Sequence, residues 1–247
     1  GAPEQREQML KLLVDVGHPS GAPIWNKAIP LDGSAEARKE TLLALEGIRK
    51  AKASACAEAI STELESLVKS PKNDTGKEAG RIRLDLVETL GVIQAKSAVP
   101  LLIKVMEQTK ENQPVAVHRA AAKALGEIGD PAAVDALLTV TFRVPDSPST
   151  SDISNRSKLA LVSIGDAAVP GVMSMLRGQH EGVNELAAKN GVDMMVVKQS
   201  AAGILAAMGT QAATQDLVAF MPKADCEDPD AETDPAHGSL RTREADA

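Results

Sequence analysis

The sequence predicts an all-α fold: a right-handed superhelical solenoid (an α-α superhelix) of about six helix pairs. Three observations predict it. One helix–turn–helix pattern recurs along the 247 residues, roughly every 35 positions with insertions. Aromatics are only 1% of the chain, namely Trp25, Phe142 and Phe220. Strands favour aromatic and β-branched side chains, so a sandwich or barrel fits poorly. Hydrophobic content of 43% beside 25% charged residues is that of a folded chain with an apolar interior.

The pattern is clearest between residues 117 and 138. A first helix, here called the A helix, places Val117, Ala121, Ala124, Leu125 and Ile128 on one face of a 3.6-residue period. Gly129 then suits a left-handed helix end, Asp130 suits a cap on the next helix and Pro131 suits its first position. A second, B helix follows. Reading Asp130 and Asp166 as a catalytic carboxylate pair explains neither position, whereas capping explains both.

The elements follow in chain order. Residues 4–30 form the first pair, with Gln5, Met9, Leu12, Leu13 and Val16 in the apolar columns and Gly17-His18-Pro19 as its turn. Trp25 takes the buried column of Leu137, as a core residue sealing that pair. Residues 34–69 repeat the columns with Ala37, Thr41, Ala44, Leu45 and Ile48, but Arg49-Lys50-Ala51-Lys52 replaces the Gly-Asp turn. Residues 77–110 carry Ile82, Leu86, Thr89, Leu90 and Ile93, and residues 115–143 are the clearest copy. Residues 152–178 carry Ile153, Ser157, Ala160, Leu161 and Ile164, followed by Gly165-Asp166. Residues 192–222 carry Val197, Ala201, Ile204, Leu205 and Met208, followed by Gly209-Thr210. Residues 181–189 read as an extra short helix ended by Asn190-Gly191. Residues 223–238 read as an acidic linker, and 239–247 as the opening of a further A helix. On that reading the chain is a piece of a longer protein or ends on an unpaired helix.

Two segments carry a family resemblance. Ala124-Leu125-Gly126-Glu127-Ile128-Gly129-Asp130-Pro131-Ala132-Ala133-Val134 and Ser163-Ile164-Gly165-Asp166-Ala167-Ala168-Val169-Pro170 resemble the HEAT repeats, in particular the short bacterial form of phycobilisome-lyase-type proteins. The resemblance is specific for fold and nearly silent on activity, since family members serve as scaffolds, lyase subunits, nucleic-acid enzymes and regulators; the expected function is a scaffold that binds a protein partner without catalysis. A lyase or chaperone subunit for a cofactor-bearing protein is the alternative that the resemblance implies. HEAT-like deoxyhypusine hydroxylases hold iron with repeated His-Glu pairs, and only His180-Glu181 occurs here.

The residues add constraints of their own. The four histidines, His18, His118, His180 and His237, have no second His or Cys at metal-ligand spacing. Phosphate loops and nucleophile elbows are absent from the sequence, so no cofactor, metal or enzymatic activity is expected. The acidic run 225–234 lacks the glycine of a calcium loop and reads as a solvated linker. Cys56 falls where a small buried hydrophobe is expected, about four repeats from Cys226, too far for a disulfide. No run of about 18 uninterrupted apolar residues suggests a membrane span. A formal net charge of −7 and the scarcity of aromatics speak against nucleic acid, which needs local positive charge and stacking surfaces.

Binding residues are expected in two places. Arg143, Arg177 and Lys223 fall in neighbouring outward columns of the B helices and form a short basic stripe. The connections between pairs, 70–77, 145–155, 178–191 and 223–239, must emerge on one edge of an alternating stack, and such insertions often form binding surfaces. Asp146 and Asp152 lie on one of these connections, His180 and Glu181 on the next. The Ser/Thr/Pro-rich segment 145–154 and the missing initiator Met point to an exported or periplasmic bacterial protein, with a cytoplasmic one as the alternative.

Overall fold

A computed structural model describes residues 3–70, 80–108, 114–142 and 151–220. The described residues form helices and connecting turns, with no strand among them. The helices are α1 (Pro3–Val16), α2 (Ala22–Ala28), α3 (Ala35–Ala51), α4 (Ala57–Lys69), α5 (Arg81–Val92), α6 (Val99–Glu107), α7 (Val115–Ile128), α8 (Val134–Thr141), α9 (Ser151–Ile164), α10 (Val169–Leu176), α11 (Glu181–Lys189), α12 (Met194–Met208) and α13 (Gln211–Phe220). The A helices α1, α3, α5, α7, α9 and α12 pack in succession into one layer. The B helices α2, α4, α6, α8 and α10 each pack against the A helix that follows, forming the second layer. This is the all-α solenoid that the repeated pattern predicts. A single apolar core runs from Leu10 to Ala213 between the layers.

The turn chemistry follows the sequence at Asp130 but not at Asp166, which makes no capping hydrogen bond. Gly129 adopts φ +69°, and the Asp130 carboxylate accepts the Ala132 N–H at 2.9 Å. His18 Nδ1 accepts the Ser20 N–H at 3.2 Å, and Thr210 Oγ accepts the Ala213 N–H at 3.1 Å. A capping oxygen or ring nitrogen thus satisfies donors that the helix start leaves orphaned. Asp166 lies instead within a 3-10 turn after Gly165. Where glycine is missing, Lys52 and Gln94 take the left-handed conformation, at φ 48° and 52°. The turn of the second pair therefore keeps its geometry with a residue that adopts it less readily.

The first pair departs from its expected columns. Met9, Leu12 and Val16 are 43%, 66% and 71% exposed, while Leu10 and Val14 are buried against α3. In later A helices the column of Leu12 faces the preceding A helix: Ala124 of α7 abuts Gly91 of α5. Among the described residues no A helix precedes α1, and Met9 lies at an open pocket beside Ile24 and Ala28 of α2. Trp25 is fully buried as expected; a Cβ on Gly21 or Gly47 would lie within 2.8 Å of its ring, so both glycines make room for it.

One stretch, Ile153–Leu176, is long and apolar enough by length and composition alone to cross a membrane. It is not one rod. Gly165, at φ +72°, ends α9, and Leu161, Val169, Val172 and Met173 are buried in the solenoid core.

Candidate functional site

The expected binding residues are placed unevenly. Arg177 is exposed just past the end of α10, where a cation complements the helix dipole. Arg143, Asp146 and Lys223 lie outside the described residues. Asp152 sits in the first turn of α9, a helix position whose side chain is not described. His180 and Glu181 stand at the start of α11.

Around α11 the expected connection is a packed element. The His180 Nδ1 accepts the Val183 N–H at 3.3 Å and caps the helix. Its Nε2 lies 3.0 Å from Asp135 Oδ1 on α8. Accepting at Nδ1 makes Nε2 the protonated nitrogen that donates to the carboxylate. Asn184 Nδ2 donates to the Gly178 carbonyl at 2.8 Å, and Asn190 Nδ2 to the Phe142 carbonyl at 3.0 Å. Val183 and Ala187 are fully buried, and α11 rests on α8 and α12. His180 is therefore an anchor of the insertion first, and only its neighbourhood is surface.

On the B-helix layer, a groove of about 570 Å³ runs between α4 and α6. Glu58, Ser61, Thr62 and Glu65 form one wall, and Pro100, Leu101 and Lys104 the other. Lys69 beside Glu65, hydrogen-bonded at 2.8 Å, holds that carboxyl below its ordinary range. Sequence columns did not single out this groove, because its polar residues occupy ordinary solvent positions.

A buried polar link between α3 and α5 was also missed. Arg49 Nη1 reaches Asp85 Oδ1 at 3.2 Å and Thr89 Oγ1 at 3.0 Å, and Arg81 Nε donates to Asp85 Oδ2 at 2.8 Å. A charged residue on the column that faces the preceding helix was the available signal, since burial there demands a partner. His118, buried in α7, contacts the Met106 carbonyl of α6 at 3.1 Å.

Burial shifts the ionisation of two described side chains upward. Burial pushes the Cys56 thiol up to about 11, which leaves it protonated and weakly nucleophilic near neutral pH. Burial also raises Glu63, against a backbone hydrogen bond from Leu31 that lowers it. Among the described residues no three His, Cys, Asp or Glu side chains are grouped to hold a metal ion. The acidic run 225–234 and Cys226 lie outside the described residues.

A family model described as HEAT repeats matches residues 75–146. That stretch resembles HEAT repeats. It spans α5 to α8, the pairs whose columns and turns are most regular. HEAT repeats generally mediate contacts between proteins. No curated protein matches the chain.

Proposed function

We propose that this chain is a non-catalytic scaffold that holds a protein partner on its B-helix layer or on the edge carrying the long connections. The observation that supports it is the stack itself, in which HEAT-type pairs present successive helix surfaces with an open groove between α4 and α6. The roles found for Asp130, His18, His180 and Cys56 are capping, anchoring and packing, which leaves the surface as the working part. Within it, Arg143, Arg177 and Lys223 are the proposed cationic contacts, and Asp146, Asp152, His180 and Glu181 belong to the proposed edge.

Reversal of charge at Arg143, Arg177 and Lys223 together is expected to weaken capture of an acidic partner, more at low than at high salt, because exposed charges are screened beyond about 10 Å at 0.1 M salt. A partner recovered equally by both proteins at low salt would remove the B-helix stripe from the site. A visible absorption band in the purified chain would instead support the lyase or chaperone reading.

A further inference from the structure

Large apolar side chains left at the surface gather at the two ends of the described stack. Met9, Leu12 and Val16 of α1 are 43%, 66% and 71% exposed, Met195 of α12 is 61% exposed and Val218 of α13 is 65% exposed. Interior copies of these columns are covered. Ala121, Ala124 and Ile128 of α7 share the columns of Met9, Leu12 and Val16 and are buried, and so is Leu138 of α8 in the column of Val218. The exposure therefore marks columns that elsewhere in the stack face a neighbouring helix pair.

The interior junctions show what covers each column. In the A layer Gly126 of α7 meets Ala160 of α9, since a Cβ on the glycine would lie 2.7 Å from the Ala160 Cα. Leu12 stands in the Ala160 column and Ala206 of α12 in the Gly126 column, and both are exposed. Met195 lies about three turns before Ala206 and so on the same face of α12. In the B layer Leu138 of α8 meets Gly171 of α10, where a Cβ would lie 3.1 Å from the leucine Cδ1. Ile24 of α2 stands in the Gly171 column and lines, with Met9, a pocket of about 380 Å³. One end of the stack thus carries the receiving columns of both layers, and the other end carries the columns that fill them. Charges around the receiving end are answered within the chain. Arg6 reaches Glu40 at 3.8 Å, and Glu7 pairs with Lys11 and Lys39 at 2.6 and 2.8 Å.

We infer that the α1–α2 end of one copy docks on the α12–α13 end of a second copy, head to tail, so that both helix layers run on across the junction. Leu12 would meet Ala206 as Ala160 meets Gly126, and Val218 would meet Ile24 as Leu138 meets Gly171. Continuity selects this occupant, because the columns at each end are those that this chain's own helix pairs fill at its interior junctions. Covering them removes apolar surface from water, the main favourable term in association. The contact joins two different faces. Each added copy therefore leaves one head and one tail free, and association is open-ended unless it closes into a ring.

Analytical ultracentrifugation of the whole chain over a concentration series is expected to show an average mass that rises beyond that of a dimer. Leu12→Glu damages only the head and Val218→Glu only the tail. Circular dichroism is expected to show both variants folded, because both side chains are exposed. Should either misfold, Val16→Glu and Met195→Glu test the same two ends. Each variant alone is expected to lose at least tenfold in association constant. Their equimolar mixture is expected to regain association of native strength that stops at dimers, since one intact head and one intact tail remain. A native chain that is monomeric at every concentration would overturn the proposal. So would association that survives in either variant alone, which would mean that like ends pair across a two-fold axis. A mixture that stays monomeric would overturn it as well.

Discussion

Leu125 and Leu161 occupy one column two helices apart, and neither has exposed surface. Truncation of either to Ala is expected to cost ~2–5 kcal/mol through lost burial and a residual cavity. Chemical denaturation of each variant measures it, and a cost below about 0.5 kcal/mol at both would contradict the shared column. Cys56 makes a pH-dependent contribution of calculable sign. Its thiol titrates at about 11 in the folded protein against 9.0 for the ordinary group. The unfolded chain therefore loses this proton first, and stability is full below pH 9 and declines as pH rises from 9 towards 11. Denaturation midpoints measured across that range are expected to fall more steeply for the native chain than for Cys56→Ala. Parallel curves would show that the thiol stays neutral in both states.

Among the elements, α11 shows how an insertion becomes structure. Its sequence offers a cap at His180, apolar positions at Val183 and Ala187, and an end at Asn190-Gly191, where Gly191 takes φ +65°. His180→Ala removes both the cap and the contact to Asp135, and is expected to cost ~0.5–2 kcal/mol. The loss should be local. Hydrogen exchange is expected to accelerate in α11 while α7 stays protected, since elements open with their own free energies. Uniform acceleration across the chain would show that α11 instead holds the whole stack. Replacing 178–191 with a short connector is correspondingly harsher than trimming a surface loop, because it uncovers α8 and α12.

For the molecule as a whole, the spacing of A helices is set by the side chains where they meet. Gly126 lets α7 and α9 approach to backbone contact, so Gly126→Val must push them apart. The expected cost is ~1–3 kcal/mol from overpacking, even though valine replaces a helix-weakening glycine. Small-angle scattering should also detect a changed solenoid curvature. An unchanged denaturation midpoint and scattering profile would mean that the stack absorbs the methyl groups without moving. The same rule, applied to Val162 of α9 and Ile204 of α12, accounts for the groove of about 520 Å³ between those two helices.

The helices, their order and their turns were legible in the sequence because they depend on local chemistry. Periodic apolar columns such as Leu86, Leu90, Leu125 and Leu161 identify the buried face, and Gly129-Asp130-Pro131 identifies the turn. Trp25 and Cys56 were legible as core residues for the same reason, since each shares a column with residues that must be buried. The neighbour of each face was not legible. Met9, Leu12 and Val16 have the right period, yet burial requires a helix on the other side, and α1 has none among the described residues. Arg49 and Asp85 lie 36 residues apart, so their pairing needed the α3–α5 packing to bring them together. The groove between α9 and α12 likewise depends on which two columns meet across a junction. A column is a property of one helix, and its consequence for shape arises only when a second helix lies against it.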